Sequence, residues 1–123
     1  MYINEDSSAG RYQIRAYDEN SITVGEQVLH DSFILTPECL ITPWAPTCVA
    51  DLNEQHLNEL IQLAPEILLI GTGATTQLLP ATLRLFLERH DIGVECMSTK
   101  AACRSYMALL SEDRKIAAIL FIT

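Results

Sequence analysis

Four consecutive apolar residues, Ile67 to Ile70, decide which architectures are open to this chain. A strand without any polar side chain is typical of a parallel sheet that is covered on both faces. The run ends at Gly71-Thr72-Gly73, because glycine-rich segments of this kind mark turns. The sequence therefore predicts a central strand here, with helices on both sides of its sheet.

Helical spacing is present before and after this strand. Apolar residues recur at helical intervals over residues 52–64, where Asp51 is the predicted cap and Pro65 prevents continuation. Pro80 suits the first turn of a second helix, since its missing N–H would be unpaired there. Further on, the pattern predicts a strand over residues 94–97, a helix over residues 100–110 capped by Ser98 or Thr99, and a last strand over residues 116–122.

The first third of the chain has the alternation of antiparallel strands. Tyr12 to Asp18 alternates polar and apolar residues, and a polar turn then leads into Ile22-Thr23-Val24, which predicts a hairpin. Two short apolar runs follow, and Pro37 closes the second. We therefore expect one α/β domain over residues 1–123 with a mixed sheet, whose loops 36–50, 71–76 and 98–99 share one edge as the candidate site.

Composition and charge exclude several classes of protein. The chain carries 16 acidic and 8 basic residues, a net charge of −8 that disfavours binding to nucleic acid. The apolar run at residues 116–122 is too short to span a membrane. The four cysteines and three histidines lack the spacing of a zinc site, so no metal or cofactor is predicted. Residues 1–8 do not resemble a targeting signal, and reduced thiols are expected, so a cytoplasmic location is predicted.

Three motifs in order carry a family resemblance, namely residues 65–73, 97–106 and 112–118. With them the sequence resembles the Mth-type domain family of unknown function, whose members include an assembly factor of mitochondrial complex I. The resemblance implies a three-layer α/β fold with a mixed sheet, to which the residue patterns add an antiparallel N-terminal hairpin and a βαβ-type C-terminal half. It also implies that the last strand can run antiparallel to its neighbours, and it implies no reaction. Ser98 and Met107 depart from the family pattern, which weakens a polar role at both positions.

The segment Gly71-Thr72-Gly73 is a candidate anion site, because it follows a strand and precedes a helix. Thr99 lies at the start of the next helix, at the same expected edge. The motif lacks the third glycine of a dinucleotide fingerprint and the lysine of a P-loop. The alternative is a tight turn that needs glycine for its backbone conformation.

Three further residues are candidates, each with a structural alternative. Cys103 could be a reactive thiol beside Lys100 and Arg104, or a core residue on the inward stripe of its helix. Arg104 could bind a carboxylate or phosphate, or pair with an acidic residue of the same domain. Trp44, in a proline-containing loop, could form a lid or binding surface, or pack that loop onto the sheet.

Two functions remain as hypotheses. The first is a non-catalytic binding or assembly module, in which an acidic face and the Trp44 loop contact a protein partner. The second is a protein or enzyme that binds a small anionic ligand at the edge formed by Trp44, Gly71 to Gly73, Thr99 and Arg104. The sequence leaves open whether the chain is an enzyme, although it favours the non-catalytic function, and whether it is a monomer or a homodimer.

Overall fold

The computed structural model describes residues 11–122, so the prediction for residues 1–8 lies outside the described residues. These described residues form two sheets and three α-helices. The strands are β1 (Ile14–Tyr17), β2 (Ile22–Val24), β3 (Gln27–Leu29), β4 (Phe33–Leu35), β5 (Leu40–Ile41), β6 (Ile67–Gly71), β7 (Gly93–Met97) and β8 (Ile116–Leu120), and the helices are α1 (Glu54–Gln62), α2 (Ala81–Glu88) and α3 (Thr99–Ser111), with a short 3-10 helix at Val49–Asp51.

The predicted hairpin extends to a three-stranded antiparallel sheet in the order β1-β2-β3. The second sheet is mixed and has the order β5-β4-β8-β6-β7. Strand β6 runs parallel to both β7 and β8, with Gly71 opposite Met97 on one side and Leu120 on the other. The C-terminal ends of these three strands therefore meet at one edge.

Three layers surround the central strand, as the family resemblance implies. Leu68 and Ile70 face α1 and α2, whereas Leu69 faces α3 and the three-stranded sheet. Successive residues of β6 thus enter two different hydrophobic cores, and a polar side chain in either direction would lose its hydration. The apolar run at Ile67 to Ile70 is explained by this double coverage.

The direction of two strands differs from expectation. Strand β8 is parallel to β6 and antiparallel only to β4, so the last strand is antiparallel on one side alone. Strand β4 itself runs antiparallel to β8, and Thr36 therefore begins its loop at the end opposite the predicted edge. The prediction that loop 36–50 leaves the C-terminal end of a parallel strand is wrong. The chain reaches that edge only after β5 reverses its direction.

The start of α1 also differs from the predicted one. Its N-cap is Asn53, whose side chain accepts from the backbone N–H of His56 at 3.0 Å, while His56 Nδ1 accepts from the backbone N–H of Asn53. Asp51 instead accepts from the hydroxyl of Thr47 at 2.9 Å, within the preceding turn. Pro80 is the residue before α2 rather than part of its first turn. The Ser98 cap of α3 is confirmed, since its side chain accepts from Ala101 N–H.

Candidate functional site

The turn after β6 contacts the first turn of α3 at the C-terminal edge of the parallel strands. The backbone N–H of Thr99 donates to the carbonyl oxygen of Gly73 at 2.9 Å, and Gly73 N–H donates to Thr99 Oγ1 at 2.8 Å. The same hydroxyl donates to the carbonyl oxygen of Phe121 at 2.6 Å. These groups, which were candidates for anion binding, are therefore hydrogen-bonded within the fold.

The two glycines of the turn have different structural roles. Gly71 lies under α3, and a Cβ atom added there would be 2.9 Å from Thr99 Cα. Gly73 has φ of 106°, a conformation that side-chain-bearing residues rarely adopt. Close helix packing explains the first glycine, and turn geometry explains the second.

Thr72 holds the loop that follows β6. Its side chain is buried, and its hydroxyl lies 2.6 Å from the carbonyl oxygen of Thr75. The backbone N–H of Gln77 donates to this hydroxyl at 3.0 Å, and the backbone N–H of Thr72 donates to the carbonyl oxygen of Met97 at 2.8 Å. Thr72 thus fixes the path of the chain between β6 and α2.

A cleft of about 430 Å³ opens where this edge meets the β1–β2 turn. Gly73 and Thr99 line it, and so do Phe121 and Ile122 at the end of β8. Its volume lies in the range of small-molecule sites. The remaining lining residues are Tyr17, Asp18, Glu19, Asn20, Ala74, Ser98 and Lys100.

The charges of the cleft were not predicted. Asp18 accepts from the backbone N–H groups of Asn20 and Ser21 at 2.8 and 2.9 Å, and these hydrogen bonds lower the pKa of its carboxyl group. Glu19 and Lys100 are exposed on the same cleft, and among the described residues neither forms an ion pair. The sequence shows an acidic turn and a lysine but gives no signal that the packing of α3 against β1 brings them together.

Arg104 lies on α3 outside the residues that line the cleft. Its guanidinium is exposed and Nη1 is 3.5 Å from the hydroxyl of Tyr17, a long contact. The predicted pairing with an acidic side chain is not found within residues 11–122. Arg104 is therefore near the cleft only through Tyr17.

Cys103 belongs to the hydrophobic core between α3 and the two sheets. Its side chain is 1% exposed, and burial raises the pKa of the thiol from 9.0 to about 12. The positive charge of Arg104 opposes this shift and is the smaller effect. At neutral pH the group is a protonated thiol, which is the inert form. Of the two alternatives for Cys103, a reactive thiol or a core residue, its surroundings match the core residue.

Trp44 packs on the other face of the five-stranded sheet. It is 8% exposed, and its ring stacks on Phe121 with centroids 6.3 Å apart. Nε1 donates to Glu59 Oε2 at 2.8 Å, and the ring also meets the edge of His56. Of the two alternatives, packing of the loop onto the sheet is the one observed, so Trp44 does not converge with Arg104.

Groups of metal-ligating side chains and buried polar atoms without a partner are both absent from the part of the chain that the structure describes. None of its helices has the length and apolarity needed to cross a membrane. The charged side chains of Glu19 and Lys100 line the cleft, while the hydroxyl group of Thr99 is used to hold the turn after β6.

Comparison with known proteins identifies related chains along nearly the whole sequence. An uncharacterized protein of Rhodobacter capsulatus is 44% identical over 122 residues, which cover 98% of this chain and 92% of that protein. The zebrafish (Danio rerio) NADH dehydrogenase [ubiquinone] 1 alpha subcomplex assembly factor 3 is 31% identical over 121 residues. The match covers 96% of this chain and 68% of the zebrafish protein, so the chain spans about two thirds of that relative.

Solved structures show the same fold. The structure of a Xanthomonas campestris protein has 32% sequence identity and a TM-score of 0.85, covering 99% of this chain and 92% of that one. A Bordetella pertussis protein described as an Mth938-like domain has 25% identity and a TM-score of 0.82, with coverage of 99% and 92%. Residues 14–121 match the family described as "Protein of unknown function (DUF498/DUF598)". These matches confirm the Mth-type resemblance, and the chain belongs to the DUF498/DUF598 family.

Proposed function

We propose that this chain is a non-catalytic protein-binding module that acts in the assembly of a larger complex. Its similarity to the zebrafish assembly factor supports this role and suggests NADH dehydrogenase as the complex. The match to this relative covers 96% of the chain. A location in the cytoplasm belongs to the same proposal, and the four free cysteines are compatible with a reducing compartment.

The exposed apolar surface around α2 is the observation that carries the proposal. Leu78, in the loop before α2, is 75% exposed, and Leu85 on the helix is 50% exposed. Ala81, the first residue of the helix, is also exposed. When a protein partner covers exposed apolar side chains, their surface is removed from water and the complex is stabilised. The polar groups where the turn after β6 meets the start of α3, in contrast, already have partners within the fold.

A test in cells compares this surface with an unrelated exposed residue. The gene is deleted, and the cells are complemented with wild type, with Leu78→Ser/Leu85→Ser or with Val28→Ser. Val28 on β3 is 53% exposed and serves as the matched control. We expect the double variant to lower the amount of assembled NADH dehydrogenase on native gels several-fold, and Val28→Ser to leave it unchanged. Normal assembly with the double variant, or in the deletion itself, would contradict the proposal.

A small anionic ligand is a second candidate function, favoured by the cleft. Lys100 provides a positive charge in the cleft and forms no ion pair among the described residues, although Asp18 and Glu19 line the same cleft. Gly73 and Thr99 contribute to the walls of this cleft. Such a ligand could regulate a binding module or be the substrate of an enzyme, and a thermal-shift screen with Lys100→Gln tests whether the cleft binds it.

A further inference from the structure

Strand β7 forms an edge of the five-stranded sheet. Within residues 11–122 it pairs with β6 on one side and has no strand beside it on the other. Gly93 N–H donates to the carbonyl oxygen of Glu66 at 3.0 Å, and the carbonyl oxygen of Met97 accepts from Thr72 N–H at 2.8 Å. Because alternate residues of a parallel strand bond to the same neighbour, Val94 and Cys96 direct their backbone groups outward. These groups form a template for one more strand.

Two features limit indiscriminate pairing at this edge. Arg84 on α2 reaches across, and its Nη1 lies 3.4 Å from the carbonyl oxygen of Val94. Glu95, at the middle of β7, is exposed and places a negative charge beside the edge. A charged residue on an edge strand is a common defence against aggregation. The negative charge of Glu95 also selects which strand can be added.

A second copy of this chain is a poor occupant of the edge. Two-fold pairing of identical edges is antiparallel, and the register that uses Val94 and Cys96 of both copies places Glu95 opposite Glu95. Like charges directly opposite each other are destabilising, and the net charge of −8 on each copy adds to the repulsion. A strand with lysine or arginine opposite Glu95 has the complementary charge.

The two faces of the edge specify the neighbours of that basic residue. Val94 and Cys96 pack on the same side of the sheet as α2. Residues opposite them on an added strand would lie on this side as well, because side chains alternate along a strand. The exposed Leu85 belongs to the helix that covers this side.

We propose that β7 binds an extended segment of a partner protein as an added antiparallel strand, with lysine or arginine opposite Glu95 and apolar residues opposite Val94 and Cys96. This inference rests on the proposed binding function and defines the chemistry of its partner. Main-chain hydrogen bonds hold the segment, one of them in place of the long contact between Arg84 Nη1 and the carbonyl oxygen of Val94. The alternating side chains select it, as in other cases of strand addition.

The test uses capped, fluorescently labelled peptides in which two valines flank a central lysine, in a Thr-Val-Lys-Val-Thr pattern. At millimolar concentration we expect the peptide to slow hydrogen exchange at the amides of Val94 and Cys96. Replacement of the central lysine by glutamate should weaken binding by about fivefold, the order of a cross-strand charge pair. Methylation of the two valine nitrogens removes the donors to β7 and should abolish binding.

The variant Glu95→Lys provides the reciprocal control, since it should reverse the preference and favour the glutamate peptide. No protection at Val94 and Cys96 with either peptide would overturn the inference, as would equal binding of the N-methylated peptide. The assembly assay with Leu78→Ser/Leu85→Ser is independent of these results. If β7 binds the peptides but the double variant assembles the complex normally, strand addition is supported and the assembly function is refuted. If the double variant loses assembled complex but no peptide binds, the assembly function is supported and strand addition is refuted.

Discussion

The hydroxyl of Thr99 donates to the carbonyl oxygen of Phe121 at 2.6 Å, although 22 residues separate them in the chain. The same hydroxyl oxygen accepts from Gly73 N–H at 2.8 Å. One side chain at the start of α3 therefore joins the turn after β6 to the end of β8. This contact occurs at the edge where the parallel strands end.

Replacement of Thr99 by a residue without a hydroxyl group should lower the stability of the fold. In Thr99→Val the side-chain shape is retained, but Gly73 N–H and the Phe121 carbonyl each lose a partner. We expect a loss of about 1–3 kcal/mol in the free energy of unfolding, measured by urea denaturation. Thr99→Ser should restore most of it. Thr76→Val, at an exposed loop position, should change the stability by less than about 0.5 kcal/mol.

A methyl group at Gly71 should force α3 away from the sheet. The added Cβ atom would lie 2.9 Å from Thr99 Cα and 3.1 Å from Ala102 Cβ, so the backbone of the helix must move. Gly71→Ala should lower the free energy of unfolding by about 1–3 kcal/mol. Gly93→Ala is the matched control, because the nearest atom to its added Cβ is 3.7 Å away. Equal effects of both substitutions on the urea midpoint would refute this explanation.

The buried thiol of Cys103 should make the protein less stable at alkaline pH. Burial raises its pKa from 9.0 to about 12, so between these values the unfolded chain releases a proton that the folded chain retains. The contribution is constant below pH 9.0, and stability falls as pH rises from there towards about 12. The slope is up to about 1.4 kcal/mol per pH unit. Burial also raises the pKa of Tyr106, which acts in the same direction.

Urea unfolding at about pH 8 and about pH 10 measures this slope. Cys103→Ala should make the loss of stability between the two pH values smaller than in wild type. Leu110→Ala removes a buried side chain from the same core without removing an ionisable group. It should lower the stability at both pH values and keep the wild-type slope. An unchanged slope in Cys103→Ala would show that another group titrates.

Local patterns predict most elements of the fold but not the direction of β4. The apolar run at Ile67 to Ile70 indicates a strand covered on both faces, because each of its side chains enters a core. For Phe33 to Leu35 the pattern is equally apolar, yet its register of Ile34 opposite Ile119 joins distant parts of the chain. No local signal distinguishes an antiparallel partner from a parallel one for so short a strand. The error in the placement of loop 36–50 follows from this.

The sequence predicts those parts of the candidate site whose positions follow from the ends of parallel strands. Gly73 and Thr99 meet because parallel strands end at a common edge. Trp44 and Arg104 belong to opposite layers, since Trp44 packs with α1 and Arg104 lies on α3. The β1–β2 turn and Lys100 line one cleft because α3 packs against β1. Sequence periodicity contains no information on that packing.

An anionic ligand in the cleft should depend on Lys100 rather than on Arg104. Lys100 lines the cleft, whereas Arg104 is not among its lining residues and has a long contact with the hydroxyl of Tyr17. If inorganic phosphate or a phosphorylated metabolite binds the native state, its thermal midpoint rises, and at one hundred times Kd the stabilisation is about 2.7 kcal/mol. We expect Lys100→Gln to remove the shift and Arg104→Gln to retain it. Both side chains are exposed, so neither substitution should lower the midpoint without ligand. A shift that only Arg104→Gln removes would contradict this prediction and place the anion at Arg104, outside the residues that line the cleft.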